Sequence, residues 1–418
     1  MRNFRTIPLV LLLACFGPAL GCGPADGGPR HGGPSLDAAS DVAAPELDAG
    51  REAGPLDMGD VQDASLSPDG ADAAFDAEDS DADVADMGSD APTPQPLEGP
   101  ADTWTWIDIP GTKCGGGSPT GLGLNVHPGA TQLLIYLDGG GVCWNYATCF
   151  GVVPTALHLN GYDADTFDSL LGRNVRSALM FDREDPKNPL REASYVFLPY
   201  CTGDIFAGDA DVEMESALGR RRLIHFHGKR NMEAYLARVA ATFSDVDHVV
   251  VAGSSAGGIG AAVSWPVVRD HFPNRRVDLI DDAGPPIEPQ DGLWEMWISV
   301  WNPTLPPECP ECGTSVRAVR NYARTLLTDD GSRIAFLSSL RDPVIGTFMG
   351  LLPIIFEERL RQMCEELGDE PQAQCFLIPG LRHTLLVDGT DIESGGLPLW
   401  RWLELMLSGD EAWDTALP

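Results

Sequence analysis

Val249-Val250-Val251-Ala252-Gly253-Ser254-Ser255-Ala256-Gly257 lies past the midpoint of the 418-residue chain, and its reading decides the fold. Four uncharged apolar residues run into a glycine-serine turn, and 256–271 then carries apolar residues at helical spacing with few breakers. An apolar strand that feeds straight into a helix is a unit of a parallel sheet covered on both faces. The turn itself reads Gly253-x-Ser255-x-Gly257. In such a strand-to-helix turn the central serine is held in a strained backbone conformation with its oxygen over the sheet edge, and the flanking glycines leave room for neighbouring chain. Ser255 is therefore the candidate nucleophile, against the plainer reading of a Gly/Ser turn.

Outward from this unit, further apolar runs at 132–137, 195–198, 277–280, 334–337 and 375–378 read as strands beside 248–252, and 231–243 reads as another helix. The expected class is α/β, with a mostly parallel central sheet and helices on both faces. No internal repeat is visible.

A serine hydroxyl is a poor nucleophile alone, so the reading demands a histidine base and an orienting carboxylate at later strand ends. Asp342 follows the 334–337 strand, and His383 follows the 375–378 strand. The chain order Ser255, Asp342, His383 is that of α/β-hydrolases. Asp282, also at a strand end, is the rival acid. The pair His225 and His227 suggests a metal, but no third ligand stands near in sequence, so one is read as core and the other as surface. Asp388 and Asp391 read as solvated. Negative charge growing on a substrate carbonyl oxygen calls for backbone N–H donors. Asp138-Gly139-Gly140-Gly141 follows the 132–137 strand and supplies those of Gly140 and Gly141, with Ala256 completing the set. No metal or organic cofactor is called for.

Charge excludes other callings. The chain has 62 acidic against 28 basic residues, a formal −34, and no basic footprint for nucleic acid. Residues 1–22 have a short basic start and an apolar run, which reads as a secretory signal. Its Leu20-Gly21-Cys22 ending resembles a lipobox, with Cys22 as the lipidated residue and Cys15 as a competing site. Residues 23–100 carry 19 acids against Arg30 and Arg51, with Phe75 as the single aromatic, and read as a disordered acidic tether. Residues 101–418 are then the folded domain, at a formal −19. Its eight cysteines, an even number in an exported chain, favour disulfides over zinc.

Taken in order, Lys113-Cys114-Gly115-Gly116-Gly117-Ser118-Pro119-Thr120-Gly121, Leu137-Asp138-Gly139-Gly140-Gly141-Val142-Cys143-Trp144-Asn145, Tyr200-Cys201-Thr202-Gly203-Asp204, His225-Phe226-His227-Gly228-Lys229-Arg230-Asn231, Gly253-Ser254-Ser255-Ala256-Gly257-Gly258 and Asp282-Ala283-Gly284 resemble the pectin acetylesterase and Notum family of α/β-hydrolases. The likeness runs from Lys113 to the C-terminus. It implies a serine carboxylesterase that removes acyl groups, acetyl first among them, from hydroxyls of a glycan or a protein. It places the nucleophile on Ser255, the acid on Asp342, the base on His383 and the oxyanion donors on Gly140, Gly141 and Ala256. It also implies disulfides Cys114–Cys201 and Cys143–Cys149, leaving Cys309, Cys312, Cys364 and Cys375 unassigned. The chain departs from plant-like members at Val142, and from the animal lipid-removing enzyme at Gly141, where each has Trp. The domain's charge would repel an anionic polygalacturonate unless a local basic patch or calcium intervenes, so a neutral acylated glycan or a small ester is the expected partner, with the membrane as a second partner through the lipid anchor. Trp294, Met296, Trp297 and Trp301, and Phe348, Met349, Leu351 and Leu352, either line a pocket or form a packed cap. The alternative function is a tethered binding module that keeps the fold without turnover.

Overall fold

Alternation of side chains along β-strands puts successive residues on opposite faces of a sheet. Here both faces are buried. Leu133, Ile135, Leu137, Val249, Val251 and Leu279 belong to one core and Leu134, Tyr136, Val250, Ala252 and Ile280 to the other, on the far side of the sheet. Each of the Leu, Ile and Val side chains contributes about 1.5–3 kcal/mol by leaving water, which is why these runs are continuous apolar segments with no polar face.

The computed structural model describes residues 94–418 apart from 328, 329, 369 and 388–391. The expected signal, Cys15, Cys22 and nearly all of the expected tether lie outside the described residues, as do Asp388 and Asp391.

The eight strands of the main sheet are β1 (Thr105–Asp108), β2 (Gly121–Asn125), β3 (Gln132–Leu137), β4 (Ser194–Leu198), β5 (His248–Ser254), β6 (Arg276–Asp282), β7 (Ile334–Ser339) and β8 (Ala373–Ile378). Their order is β1-β2-β4-β3-β5-β6-β7-β8. The pairs β3–β4, β3–β5, β5–β6, β6–β7 and β7–β8 are parallel, and β2 runs antiparallel to both β1 and β4. This is the α/β-hydrolase-like sheet, with an antiparallel edge. Parallel pairing has one consequence for chemistry: the C-terminal ends of β3, β5, β6, β7 and β8 all open on the same edge.

Helix α1 (Gly228–Thr242) precedes β5, and α2 (Ala256–His271) follows it with no intervening loop. A separate antiparallel hairpin pairs Ala210–Glu215 with Arg221–Phe226. Four disulfides cross-link the fold: Cys114–Cys201, Cys143–Cys149, Cys309–Cys312 and Cys364–Cys375. Among the described residues, no helix is long and apolar enough to cross a membrane.

Candidate active site

Ser255 stands between β5 and α2 at φ 60° and ψ −123°, a positive-φ conformation that a side-chain-bearing residue adopts only when its surroundings impose it. Those surroundings are visible. The Ser255 N–H donates to the Asp282 carbonyl at 2.7 Å, and Gly258 N–H donates back to the Ser255 carbonyl at 2.9 Å. Gly257 has to lack a side chain, since a Cβ there would lie 2.2 Å from the Leu137 carbonyl oxygen at the end of β3. The turn thus wedges the start of α2 between strand ends.

The loop after β3 lies directly over this turn. A Cβ placed on Gly139 would come within 3.2 Å of Ser255 Cβ. The Asp138 carboxylate accepts the Gly139 N–H at 2.9 Å, which bends the chain at its first glycine. Asp138 is half-buried as a residue, but its carboxyl is enclosed, and that burial pushes it up to about 7. Gly140 and Gly141 have φ of 153° and 76°. Neither amide donates a hydrogen bond among the described residues, and Ala256 as the first residue of α2 has no intrahelical acceptor. The N–H groups of Gly140, Gly141 and Ala256 therefore have no acceptor among the described residues.

Asp342 follows β7 and caps a short helix, Pro343–Phe348, accepting the Val344 and Ile345 N–H groups on Oδ1 at 2.9 and 3.2 Å. Its Oδ2 faces His383 Nδ1 at 2.7 Å. A carboxylate held on one oxygen by two backbone donors presents the other in a fixed direction, and a hydrogen bond to Nδ1 leaves Nε2 as the free acceptor. The described hydrogen bonds do not join Ser255 Oγ to His383; catalytic hydrogen bonds in unliganded sites are often open and close around substrate.

Asp282 takes a different position. Its carboxylate is fully buried, accepts the Ser254 hydroxyl at 2.7 Å, and also accepts the Leu385 and Leu386 N–H groups at 2.8 and 3.0 Å. The sequence offered it as a rival partner for His383; the described hydrogen bonds of His383 run to Asp342. Burial pushes Asp282 up to about 6, against the pull of Ser254, Leu386 and Leu385. No sequence signal announces this bracing geometry, because its partners lie 28 and more than 100 residues away.

The other histidines have neighbours of their own: His127 faces Asp102 and Glu192, His248 faces Asp278, and His271 faces the Val267 carbonyl. His227 is buried, as the core half of the expected split requires, whereas His225 is half-buried and not at the surface. The hairpin turns both toward Asp211.

The aromatic residues around the site divide. Trp294, Trp297 and Trp301 are buried, Trp297 stacks on Trp301, and Trp301 Nε1 donates to the Cys143 carbonyl at 2.8 Å. They form a packed cap rather than a wall. Met349 is buried too, and Leu352 is exposed. Phe348 is the exception, because its ring edge would lie 3.0 Å from a Cβ on Gly141. At Gly141 the positive φ combines with the Thr155 carbonyl, 2.0 Å from where a Cβ would sit, so no side chain can be accommodated here without moving that backbone.

The pectinacetylesterase family model matches residues 105–296. Among curated proteins, the palmitoleoyl-protein carboxylesterase NOTUM of Schmidtea mediterranea is 26% identical over 223 residues, covering 47% of this chain and 40% of that protein. Pectin acetylesterase 5 of Arabidopsis thaliana is 26% identical over 159 residues, 37% of this chain and 34% of that protein. The human NOTUM carboxylesterase is 27% identical over 178 residues, 41% and 34% respectively. The chain thus spans well under half the length of these relatives.

Proposed function

We propose, for a chain whose residues 105–296 belong to the pectinacetylesterase family, that it is a serine carboxylesterase releasing acetyl-sized acyl groups from hydroxyls of a neutral glycan. The observation that carries this reading is the Asp342–His383 hydrogen bond of 2.7 Å at the sheet edge that also bears the positive-φ Ser255. His383 Nε2 takes the Ser255 proton as Oγ attacks the ester carbonyl, and Asp342 stabilises the imidazolium. The N–H groups of Gly140, Gly141 and Ala256 receive the developing oxyanion, each worth roughly 3 kcal/mol. His383 then protonates the departing alcohol, leaving an acyl-enzyme. Water, deprotonated by His383, attacks that ester and releases the acid with Ser255 restored.

Substrate size follows from the loop. Gly141 is overlaid by Thr155 and approached by Phe348, which suits a short acyl chain, and the domain's −19 charge suits an uncharged acceptor. The four disulfides fit an oxidising compartment. We place the protein outside the cytoplasm, held by a lipid on Cys22; incorporation of labelled fatty acid that survives in Cys22→Ser would refute the anchor.

A fluorophosphonate probe tests the nucleophile: wild type is expected to label and Ser255→Ala not to. Absence of labelling in wild type would instead favour a binding module without turnover. Rates on nitrophenyl esters from acetyl to long fatty acyl then test chain length, and fastest turnover of the long chains would overturn the short-acyl reading.

A further inference from the structure

Asp211 and His225 are direct partners across the Ala210–Glu215/Arg221–Phe226 hairpin, and His227 caps α1 immediately after the second strand. His225 Nδ1 is hydrogen-bonded to Asp211 Oδ1. His227 Nε2 lies 2.9 Å from the same oxygen. One atom from each of the three side chains therefore converges, all within 4.8 Å of one another.

We propose that Asp211, His225 and His227 form a binding site for a divalent cation of the zinc class, which clamps the hairpin to the start of α1. The donor chemistry fits: two imidazoles and one carboxylate suit zinc, which takes such ligands at about 2.0–2.2 Å in tetrahedral geometry. Donors around such an ion sit roughly 3.3 Å apart, so an ion replacing the bridging protons needs the present 2.9 Å separation to open only slightly. The half-exposed Asp211 side chain (46%) leaves a fourth position to water, whereas that of His227 (6%) is nearly enclosed. In sequence the His-x-His pair lacked a third ligand. Hairpin register supplies it, from 14 residues before His225.

One group opposes the ion. Arg230 Nη1 lies 3.1 Å from His227 Nε2, and its Nε is hydrogen-bonded to Asp209. The guanidinium is partly exposed (46%) and can turn outward, but its charge disfavours a second cation. The site therefore makes two opposite predictions, weaker binding without His225 and tighter binding without Arg230.

The test uses the full chain, stripped with a chelator and titrated with zinc chloride calorimetrically, and with cobalt(II) as a spectroscopic substitute. The acidic N-terminal stretch is common to every variant, so differences between variants isolate the site. Outer partners of metal ligands alone are worth about 10–100-fold in affinity, so His225→Ala is expected to weaken zinc binding by about 100-fold. Arg230→Ala is expected to tighten it several-fold. The cobalt adduct should show four-coordinate visible bands that disappear in His225→Ala. Equal zinc affinity in wild type and His225→Ala, or an Arg230→Ala protein that binds zinc more weakly than wild type, would overturn the proposal. The readout is metal binding, so it stands or falls independently of esterase activity.

Discussion

The carboxylate of Asp282 holds the hydroxyl of Ser254 at 2.7 Å, one residue before the proposed nucleophile. The same carboxylate holds the Leu385 and Leu386 amides, two and three residues after the proposed base, and the Asp282 carbonyl holds the Ser255 amide. β5 and β8 are not neighbours in the sheet; β6 and β7 lie between them. Asp282, at the end of β6, spans that gap with its side chain and ties the serine turn to the histidine loop.

Asp282→Asn should therefore act on turnover more than on binding. An asparagine keeps one acceptor but turns an NH2 toward backbone donors, and leaving a buried N–H unsatisfied costs about 1–3 kcal/mol. If that cost appears as displacement of the His383 loop, kcat falls about 10–100-fold with KM little changed. Steady-state kinetics beside a thermal melt check this; a variant with wild-type kcat would show that the brace does not position the base.

Asp342→Asn separates two duties of one carboxylate. Its Oδ1 caps the Pro343–Phe348 helix, a duty that asparagine also performs well, so the melting temperature should hardly move. Its Oδ2 orients and charge-stabilises His383, which the amide cannot do. A loss of roughly 10³–10⁴ in kcat is expected, measured on a nitrophenyl acetate with the fluorophosphonate labelling rate falling in parallel. Asp342→Ala should lose the cap too and melt lower, by about 1 kcal/mol of stability.

Much of this arrangement was legible in the sequence because it rests on local pattern. The 132–137 strand and the 256–271 helix have the bounds read from apolar periodicity, and the other four strands read beside β5 extend only by one to two residues at either end. The antiparallel β1 and β2 were missed. Gly121-Leu122-Gly123-Leu124-Asn125 is too glycine-rich to read as a strand, and a Cβ on Gly123 would meet Phe167 at 2.5 Å; a long-range contact set the residue choice. The hairpin went unread for a similar reason. Glu213, Glu215, Arg221 and Arg222 face solvent, so its charged surface masks the strand pattern. Pairings of Cys309, Cys312, Cys364 and Cys375 depended on tertiary distance, and so did the roles of Asp211 and Asp282.

Phe348→Ala tests the acyl wall. The Phe348 ring is the side chain closest to where a Gly141 Cβ would stand, apart from the overlying Thr155 backbone, so shortening it should open space beside the reacting carbonyl. Each additional methylene accommodated is worth about 0.8 kcal/mol, or roughly fourfold in relative rate. The ratio of butyrate to acetate turnover should rise by up to about fifteenfold across two methylenes. An unchanged ratio would mean that the acyl group lies elsewhere.

Stability should rise as pH falls from neutrality, because several buried carboxyls prefer to be protonated in the fold. Burial pushes Asp138 up to about 7, and Asp204 and Asp282 up to about 6, from an ordinary 3.8. Burial and the neighbouring Asp282 raise Asp281 well above its ordinary value. For each, the native state binds protons that the unfolded chain has already lost, so stability is fully present below about pH 4 and declines as pH rises through the folded value. Groups shifted the other way, such as Glu357 beside Arg341 and Asp163 accepting from Thr166, lose their contribution only as pH falls below about 4.5. Between pH 5 and 8, His158 and His227, whose values burial lowers from 6.5, act in the opposite sense; the four raised carboxyls outnumber them and set the direction. Melting followed by circular dichroism should give a midpoint several degrees higher at pH 5.5 than at pH 8. In Asp282→Asn, which cannot titrate, the difference should shrink; a midpoint that climbs steadily with pH across this window would contradict the assignment.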